Sequence, residues 1–202
     1  MSEAGWPESV VAYIRAEALP VDKFGHQPRL YALAARLADG RAFDDDILFA
    51  SAWMHDLGVF QGHRPQDPAE LARWDHIPNT IARSRELLAG WGFPASKLEA
   101  VAQAIETHQP HKNPLQFEAV LLHDADILEQ LGAIGAWRAI AKVGRDSRFP
   151  TFSSVLPVLR RAVEDLPARL CLESAQRLAI PRVSLLASLL AAIEEETGQF
   201  LC

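Results

Sequence analysis

Apolar residues recur along most of this chain with the spacing of an amphipathic helix. Leu30, Leu33 and Leu37 fall on one face of a helix that begins near Pro28, a residue that suits a first helical turn. Proline and glycine residues separate such segments, and no alternating strand run flanked by an Asn-Gly or Asp-Gly turn occurs. The pattern therefore predicts an all-α fold.

The residues between the apolar segments predict where the helices begin and end. We expect helices over residues 7–19, 28–38, 47–57, 79–89, 98–109, 117–131 and 133–143, and two or three more in the tail, interrupted near Pro157, Pro167 and Pro181. We expect Gly58 to stop the third helix and the segment 59–75 to be largely loop. Ser96 and Glu99 match a capping box at the start of the fifth helix.

Composition and charge restrict the class of function. The chain has 202 residues, which suits one domain, and its 20 basic and 26 acidic residues give a net charge of −6. An acidic balance excludes a general nucleic-acid-binding surface, which needs an excess of Lys and Arg. No run reaches the roughly 20 apolar residues of a membrane span, and the N-terminal residues lack a signal-peptide pattern. We therefore expect a cytoplasmic protein with no membrane partner.

The two cysteines carry little information about function. Cys171 and Cys202 are too few for a disulfide framework or a zinc ribbon. Neither of these two structural classes is therefore expected.

A histidine followed by an aspartate, His55-Asp56, closes the apolar third helix. A carboxylate at the C-terminal end of a buried helix is costly, because burial and the negative end of the helix dipole both oppose its charge. A divalent metal would relieve both costs. An ion pair with Arg64, or a capping hydrogen bond, would do so as well, and the pair alone leaves these interpretations open.

Further histidines and aspartates fall on apolar segments. His26, His76 and His108 lie at or beside the ends of predicted helices, and Asp124 and Asp126 lie within a strongly apolar run. A single histidine is common in a core or at a surface, whereas two carboxylates amid apolar residues are hard to explain as solvated surface. Imidazole and carboxylate groups together suit Mn, Fe, Ni, Co or Zn.

The order of these residues resembles the HD-domain superfamily of metal-dependent phosphohydrolases. The resemblance rests on His26, the pair His55-Asp56 and Asp126, and on the segment 122–138, which is similar to a segment of small bacterial stand-alone HD hydrolases. It covers nearly the whole chain and implies a single-domain HD-type helical bundle over residues 1–202. The metal-binding core would span about residues 20–145, and closing helices would span about residues 151–197.

The resemblance also implies a ligand set for one or two divalent metals. The implied ligands of the first metal are His26, His55, Asp56 and Asp126. Asp124 would support Asp126 through hydrogen bonds or replace it as the ligand, since helical periodicity places Asp124 on the apolar stripe. His76 and His108 would bind a second metal or contact the substrate.

The implied function is hydrolysis of a phosphate ester or anhydride, with a nucleotide as the expected small-molecule substrate. The metal, with manganese among the candidates, would polarise a phosphoryl oxygen and lower the pKa of bound water. Asp56 would be the catalytic residue that orients this water. The phosphate charge needs cationic partners, and the candidates are Arg29, Arg64, Arg138 and Lys142.

The aromatic residues near the motifs could stack on a base or pack in the core. They are Phe24, Tyr31, Trp53, Phe60 and Trp74.

The candidate site residues also leave two other functions open, namely a dinuclear-iron oxygenase of the HD type and a non-catalytic metal- or nucleotide-binding sensor. No oligomeric state follows from the sequence.

Overall fold

The computed structural model describes residues 5–20 and 23–198, and within these residues it contains helices and no strands. The all-α prediction is therefore confirmed. The α-helices are α1 Trp6–Glu17, α2 His26–Leu37, α3 Asp45–Met54, α4 Pro68–Leu71, α5 His76–Gly90, α6 Leu98–Thr107, α7 Phe117–Glu129, α8 Gly132–Ile140, α9 Leu156–Asp165 and α10 Glu173–Thr197.

The chain forms two compact units, residues 1–123 and residues 124–202. In the first unit, α3 packs against α1, α2 and α6, and α5 packs against α6. The core around α3 is built from hydrophobic residues, and its largest fully buried side chains are Ile14, Met54, Leu57, Phe60, Leu88 and Ile105. Burial of this core is the main favourable contribution to folding of the first unit.

The start of α3 is fixed by its N-cap. The Asp44 carboxylate accepts hydrogen bonds from the backbone N–H groups of Asp46 and Ile47 at 3.1 and 3.3 Å. The Lys97 ammonium pairs with Asp44 at 2.8 Å and with Asp46 at 2.7 Å. Asp44 therefore caps α3, and Lys97 joins this cap to the start of α6.

In the second unit, the long helix α10 packs against α8 and α9. Pro157 lies in the first turn of α9, as a proline can, but Pro181 lies inside α10 and does not interrupt it. The predicted break at Pro181 is wrong. A proline costs an interior helix about 3 kcal/mol, and the buried face of α10, which includes Ala175, Ala179 and Leu186, offsets that cost.

Three other expectations about local structure need correction. No side-chain capping bond starts α6, because a 3-10 turn over Ala95–Lys97 leads directly into it, so the capping box is wrong. The segment 59–75 contains the short helix α4, capped by Asp67. Helix α5 begins at His76, earlier than expected, because Asp75 caps it by accepting a hydrogen bond from the Ile77 N–H at 3.0 Å.

Cys202 and the first four residues lie outside the described residues. Among the described residues, no helix combines the length and the apolar character needed to cross a membrane.

Candidate metal centre

Four histidines and one aspartate from four helix ends meet in the first unit. His26 is the first residue of α2, and His76 is the first residue of α5. His55 and His108 are the residues that follow the last turns of α3 and α6. Asp56 follows His55 and precedes a 3-10 turn, to which its side chain makes no capping bond.

The histidine rings surround the carboxylate of Asp56. Its Oδ2 atom lies 3.6 Å from His55 Nε2 and 4.0 Å from His26 Nε2, and its Oδ1 atom lies 3.8 Å from His76 Nε2. The rings of His55 and His108 have their centroids 5.0 Å apart. Ligand atoms of His55, Asp56 and His108 all lie within 4.8 Å of one another. We call these five residues the His–Asp cluster: His26, His55, Asp56, His76 and His108.

Two members of the cluster are oriented by the same local contact. His55 Nδ1 lies 3.0 Å from the Ala52 carbonyl oxygen, and His108 Nδ1 lies 2.6 Å from the Ile105 carbonyl oxygen. A carbonyl oxygen only accepts, so each Nδ1 carries a proton, and Nε2 is the ring atom that can offer a lone pair to a metal. This orientation by a backbone carbonyl is typical of metal-binding histidines.

The donor set fits a divalent metal. His26 Nε2 and His55 Nε2 lie 3.3 Å apart. The two nitrogens can approach this closely only by sharing a proton or a cation. His26, His55 and His108 are each at most 3% exposed, and neutral imidazole nitrogens beside a carboxylate are the ligands that Mn, Fe, Co, Ni and Zn accept.

The cluster keeps Asp56 ionised. Burial alone would raise the pKa of its carboxyl group, but the positive charges of His55, His26, Lys23 and His108 hold the pKa well below its ordinary value. Sequence reasoning missed Lys23 as a contributor to the site. The available signal was its spacing, since Lys23 precedes His26 by three residues, about one helical turn.

Gly58 brings the His55-Asp56 segment close to the start of α5. Its N–H donates to Thr80 Oγ1 at 3.0 Å, and its carbonyl oxygen accepts from Trp74 Nε1 at 2.9 Å. Gly58 lies in the 3-10 turn Leu57–Val59, and α3 already ends at Met54, so the glycine is not the predicted helix stop. A side chain would not fit, because a Cβ atom at residue 58 would lie 2.8 Å from the His76 carbonyl oxygen.

The two candidate aspartates of α7 belong to the second unit and have different surroundings. The Asp124 carboxylate is fully buried and accepts from the N–H groups of Cys171 at 3.0 Å and Leu172 at 2.7 Å, just before α10. The Asp126 carboxylate accepts from Gln130 Nε2 at 3.2 Å and is half-buried. The assignment of either residue as a metal ligand stays a prediction.

The four predicted phosphate-binding cations are divided between the units. Arg29 lies on α2 and Arg64 lies in the loop after the His–Asp cluster, both in the first unit. In the second unit, Arg138 pairs with the buried Glu129 at 3.5 Å, and Lys142 lies over the Phe149 ring at 5.7 Å. A phosphate-binding role for each of the four stays a prediction.

The five candidate aromatic residues also differ in their surroundings. Phe60 and Trp53 are buried in the core. Phe24 packs against Trp53, with ring centroids 5.9 Å apart. The Tyr31 hydroxyl donates to Asp45 at 2.7 Å, and burial with this contact raises the pKa of Tyr31 to about 12. Trp74 differs, because it is half-buried and lines a cavity beside His76.

A helical fold in which several histidines surround an aspartate is typical of a class of metal-binding proteins. The sequence model of the HD domain family matches residues 24–131, which is more than half of the chain. The chain belongs to the HD domain family. A comparison with curated proteins found no match.

Solved structures share the fold over almost the whole chain. YpgQ from Bacillus subtilis matches with a TM-score of 0.72 at 17% identity, over 96% of this chain and 97% of YpgQ. Its complex with ADP matches with the same TM-score at 19% identity, over 96% of each chain. An HD-superfamily hydrolase from Bacillus thuringiensis matches with a TM-score of 0.68 at 18% identity, over 96% of this chain and 97% of that one. At these identities the likeness shows the HD-type fold alone.

Family membership and the His–Asp cluster both point to a metal-binding site. Membership of the HD superfamily supports a metal-dependent hydrolase, and HD domains bind divalent metals. The residues that could hold such a metal are present and oriented in the first unit.

Proposed function

We propose that this chain is a metal-dependent phosphohydrolase that cleaves a phosphate ester or anhydride of a nucleotide. The observation that carries the proposal is the Asp56 carboxylate, which lies 3.6–4.0 Å from the Nε2 atoms of three histidines. Support for a nucleotide comes from YpgQ, a protein of the same fold whose structure was solved in complex with ADP.

We assign the first metal to His26, His55 and Asp56, with Asp126 as the fourth ligand. His76 and His108 would hold a second metal or contact the substrate, so the chain would carry one or two metals. When bound, such a metal supplies a Lewis acid that polarises the phosphoryl group and makes water nucleophilic near neutral pH.

The chain's own residues orient the reactants. Because its pKa is lowered, Asp56 holds no proton at neutral pH, and it positions the attacking water by accepting a hydrogen bond from it. The water oxygen bonds to phosphorus as the bond from phosphorus to the leaving oxygen breaks, and the proton that the water loses passes through solvent to the leaving oxygen. The N-termini of α2 and α5, where His26 and His76 lie, direct positive ends of helix dipoles towards the phosphate charge.

Phosphate and pyrophosphate release from a panel of nucleotides tests the proposal, with added Mn²⁺ and separately with EDTA. We expect release from a subset of nucleotides that requires the metal and is lost in Asp56→Asn. His63→Gln is the matched control, since His63 pairs with Glu17 at 2.9 Å rather than with the cluster. Absence of release from every nucleotide would contradict the proposal. Oxygen uptake by an iron-loaded chain would then favour an oxygenase, and a chain that binds no metal would favour a sensor.

A further inference from the structure

A cavity of about 790 Å³ lies in the first unit, between α5 and α6. One wall comes from the segment before α5 and from its first turns, and the other wall comes from α6 and the loop that follows it. The volume falls within the range of about 300–1,000 Å³ that is typical of small-molecule sites. The cavity is therefore large enough for a nucleoside.

The cavity adjoins the His–Asp cluster at His76. His76 lines the cavity, and Nε2 of the same residue lies 3.8 Å from Asp56 Oδ1. A substrate whose phosphate lies at the cluster would therefore place its organic part on the side of His76 that faces the cavity.

Trp74 provides a fixed aromatic surface in this cavity. Its Nε1 atom donates to the Gly58 carbonyl oxygen at 2.9 Å, which ties the indole ring to the turn beside Asp56. The ring is half-buried, so part of it faces the cavity. Ile77, Ile81 and Ala102 add apolar lining. A flat heteroaromatic ring suits such a surface, because aromatic faces stack with little loss of conformational freedom.

The polar lining of the cavity offers both donors of hydrogen bonds, which include His111 and Lys112, and acceptors. Arg85 is ion-paired with Glu99, so these two charges compensate each other. Glu106 and Gln109 add a carboxylate and an amide to the lining. A carboxylate only accepts hydrogen bonds at neutral pH, so its natural partner is an exocyclic amino group.

From these contacts we infer that the cavity binds the nucleobase of the substrate, stacked on Trp74, and that Glu106 selects bases with an exocyclic amino group. The inference rests on the proposed nucleotide phosphohydrolase function, and it assigns the specificity of that site to α5 and α6. A base that lacks the amino group would make no hydrogen bond to the exposed Glu106 carboxylate, so it should bind more weakly.

Binding of nucleosides without phosphate tests the inference independently of hydrolysis. Isothermal calorimetry would compare adenosine with purine riboside, guanosine with inosine, and cytidine with uridine. We expect one amino-bearing nucleoside to bind at least fivefold more tightly than its partner, Glu106→Gln to remove that difference, and Trp74→Ala to weaken binding at least tenfold. Glu70→Gln on α4 is the matched control, because Glu70 is exposed and lies outside the cavity lining.

A second variant guards against misfolding of Trp74→Ala. Ala82→Trp places a large ring in the cavity from the exposed face of α5, and it should lower the ratio of nucleotide hydrolysis to p-nitrophenyl phosphate hydrolysis at least tenfold. Nucleoside binding that is unchanged in both Trp74→Ala and Ala82→Trp, or no discrimination within any pair, would overturn the inference. Metal-dependent hydrolysis with such unchanged binding would leave the proposed function intact. Selective nucleoside binding without any hydrolysis would contradict only the proposed function.

Discussion

Gly58 approaches the backbone of His76 so closely that a Cβ atom at residue 58 would lie 2.8 Å from the His76 carbonyl oxygen. The same Cβ would lie 2.8 Å from Thr80 Oγ1, the acceptor of the Gly58 N–H. Two segments of the His–Asp cluster, His55-Asp56 and the start of α5, are therefore held together at a glycine.

Gly58→Ala should displace His76 from Asp56, because the carbonyl that a methyl group would meet belongs to the backbone and cannot rotate away. We expect metal affinity to fall about 10- to 100-fold, as it does when a group that orients a ligand is lost. Metal titration followed by calorimetry would measure this change. Gly90→Ala is the control, since no atom lies within 4 Å of a Cβ at residue 90. Equal metal affinity in the two variants would contradict the positioning role of Gly58.

His55→Ala and Asp56→Ala should each lose bound metal and phosphate release while they retain their helical circular dichroism. The reason is that His55 is the C-cap of α3 and Asp56 follows it, and neither side-chain truncation removes a backbone hydrogen bond of the helix. Metal content by atomic emission and hydrolysis rates would be compared with those of His63→Gln. Full activity in either alanine variant would show that the metal-ligand assignment is wrong.

Substitution of Asp124 and substitution of Asp126 should have different effects, because we expect Asp124 to be structural and Asp126 to bind the metal. Asp124→Ala leaves the buried N–H groups of Cys171 and Leu172 without their acceptor, and this should destabilise the metal-free chain by about 2–4 kcal/mol. Asp126→Ala should instead reduce metal affinity with a small effect on the metal-free chain. Thermal unfolding with and without EDTA, together with metal titration, would measure both effects. Loss of metal binding in Asp124→Ala at unchanged stability would reverse the assignment.

Asp146 should give the second unit a dependence on acidic pH. The Arg148 guanidinium donates to its carboxylate at 2.7 Å and holds the pKa of Asp146 at about 2, against an ordinary value of 3.8. A lowered pKa in the folded state stabilises the fold above pH 3.8, and this contribution is lost as the pH falls through about 2.

The size of this contribution is about 1 kcal/mol or less, because the Arg148 side chain is exposed and solvent screens the pair. Asp146→Asn should therefore lower the unfolding free energy by that amount at pH 5, and the difference should shrink at pH 2. Urea denaturation at the two pH values would measure it. A difference that grows on acidification would contradict the assigned sign.

Much of the helical architecture could be predicted from the sequence, because local patterns determine it. The leucine spacing of α2 and the aspartate cap of α3 depend on residues within one or two turns. Pro181 shows where this reasoning fails. The residue disfavours a helix locally, and packing between residues far apart in the sequence decides the outcome in α10.

The histidines of the cluster could also be singled out, because their order along the chain resembles the HD-domain superfamily. The role of Gly58 could not be predicted, since the contact that requires a glycine is made by His76, 18 residues later in the chain. Trp74 was one of five aromatic candidates. Only the fold distinguishes it from Phe60 and Trp53, which are buried in the core.

The four histidines at helix ends couple metal occupancy to fraying of those helices. End turns open most readily, since their hydrogen bonds are the fewest and the most exposed, and local opening of this kind sets amide hydrogen exchange. Metals held by residues at the starts of α2 and α5 and at the ends of α3 and α6, one or two per chain, would bind only while these turns are closed. Metal in the centre would therefore slow exchange at the termini of four helices at once, and chelation would release them while the helix middles stay protected.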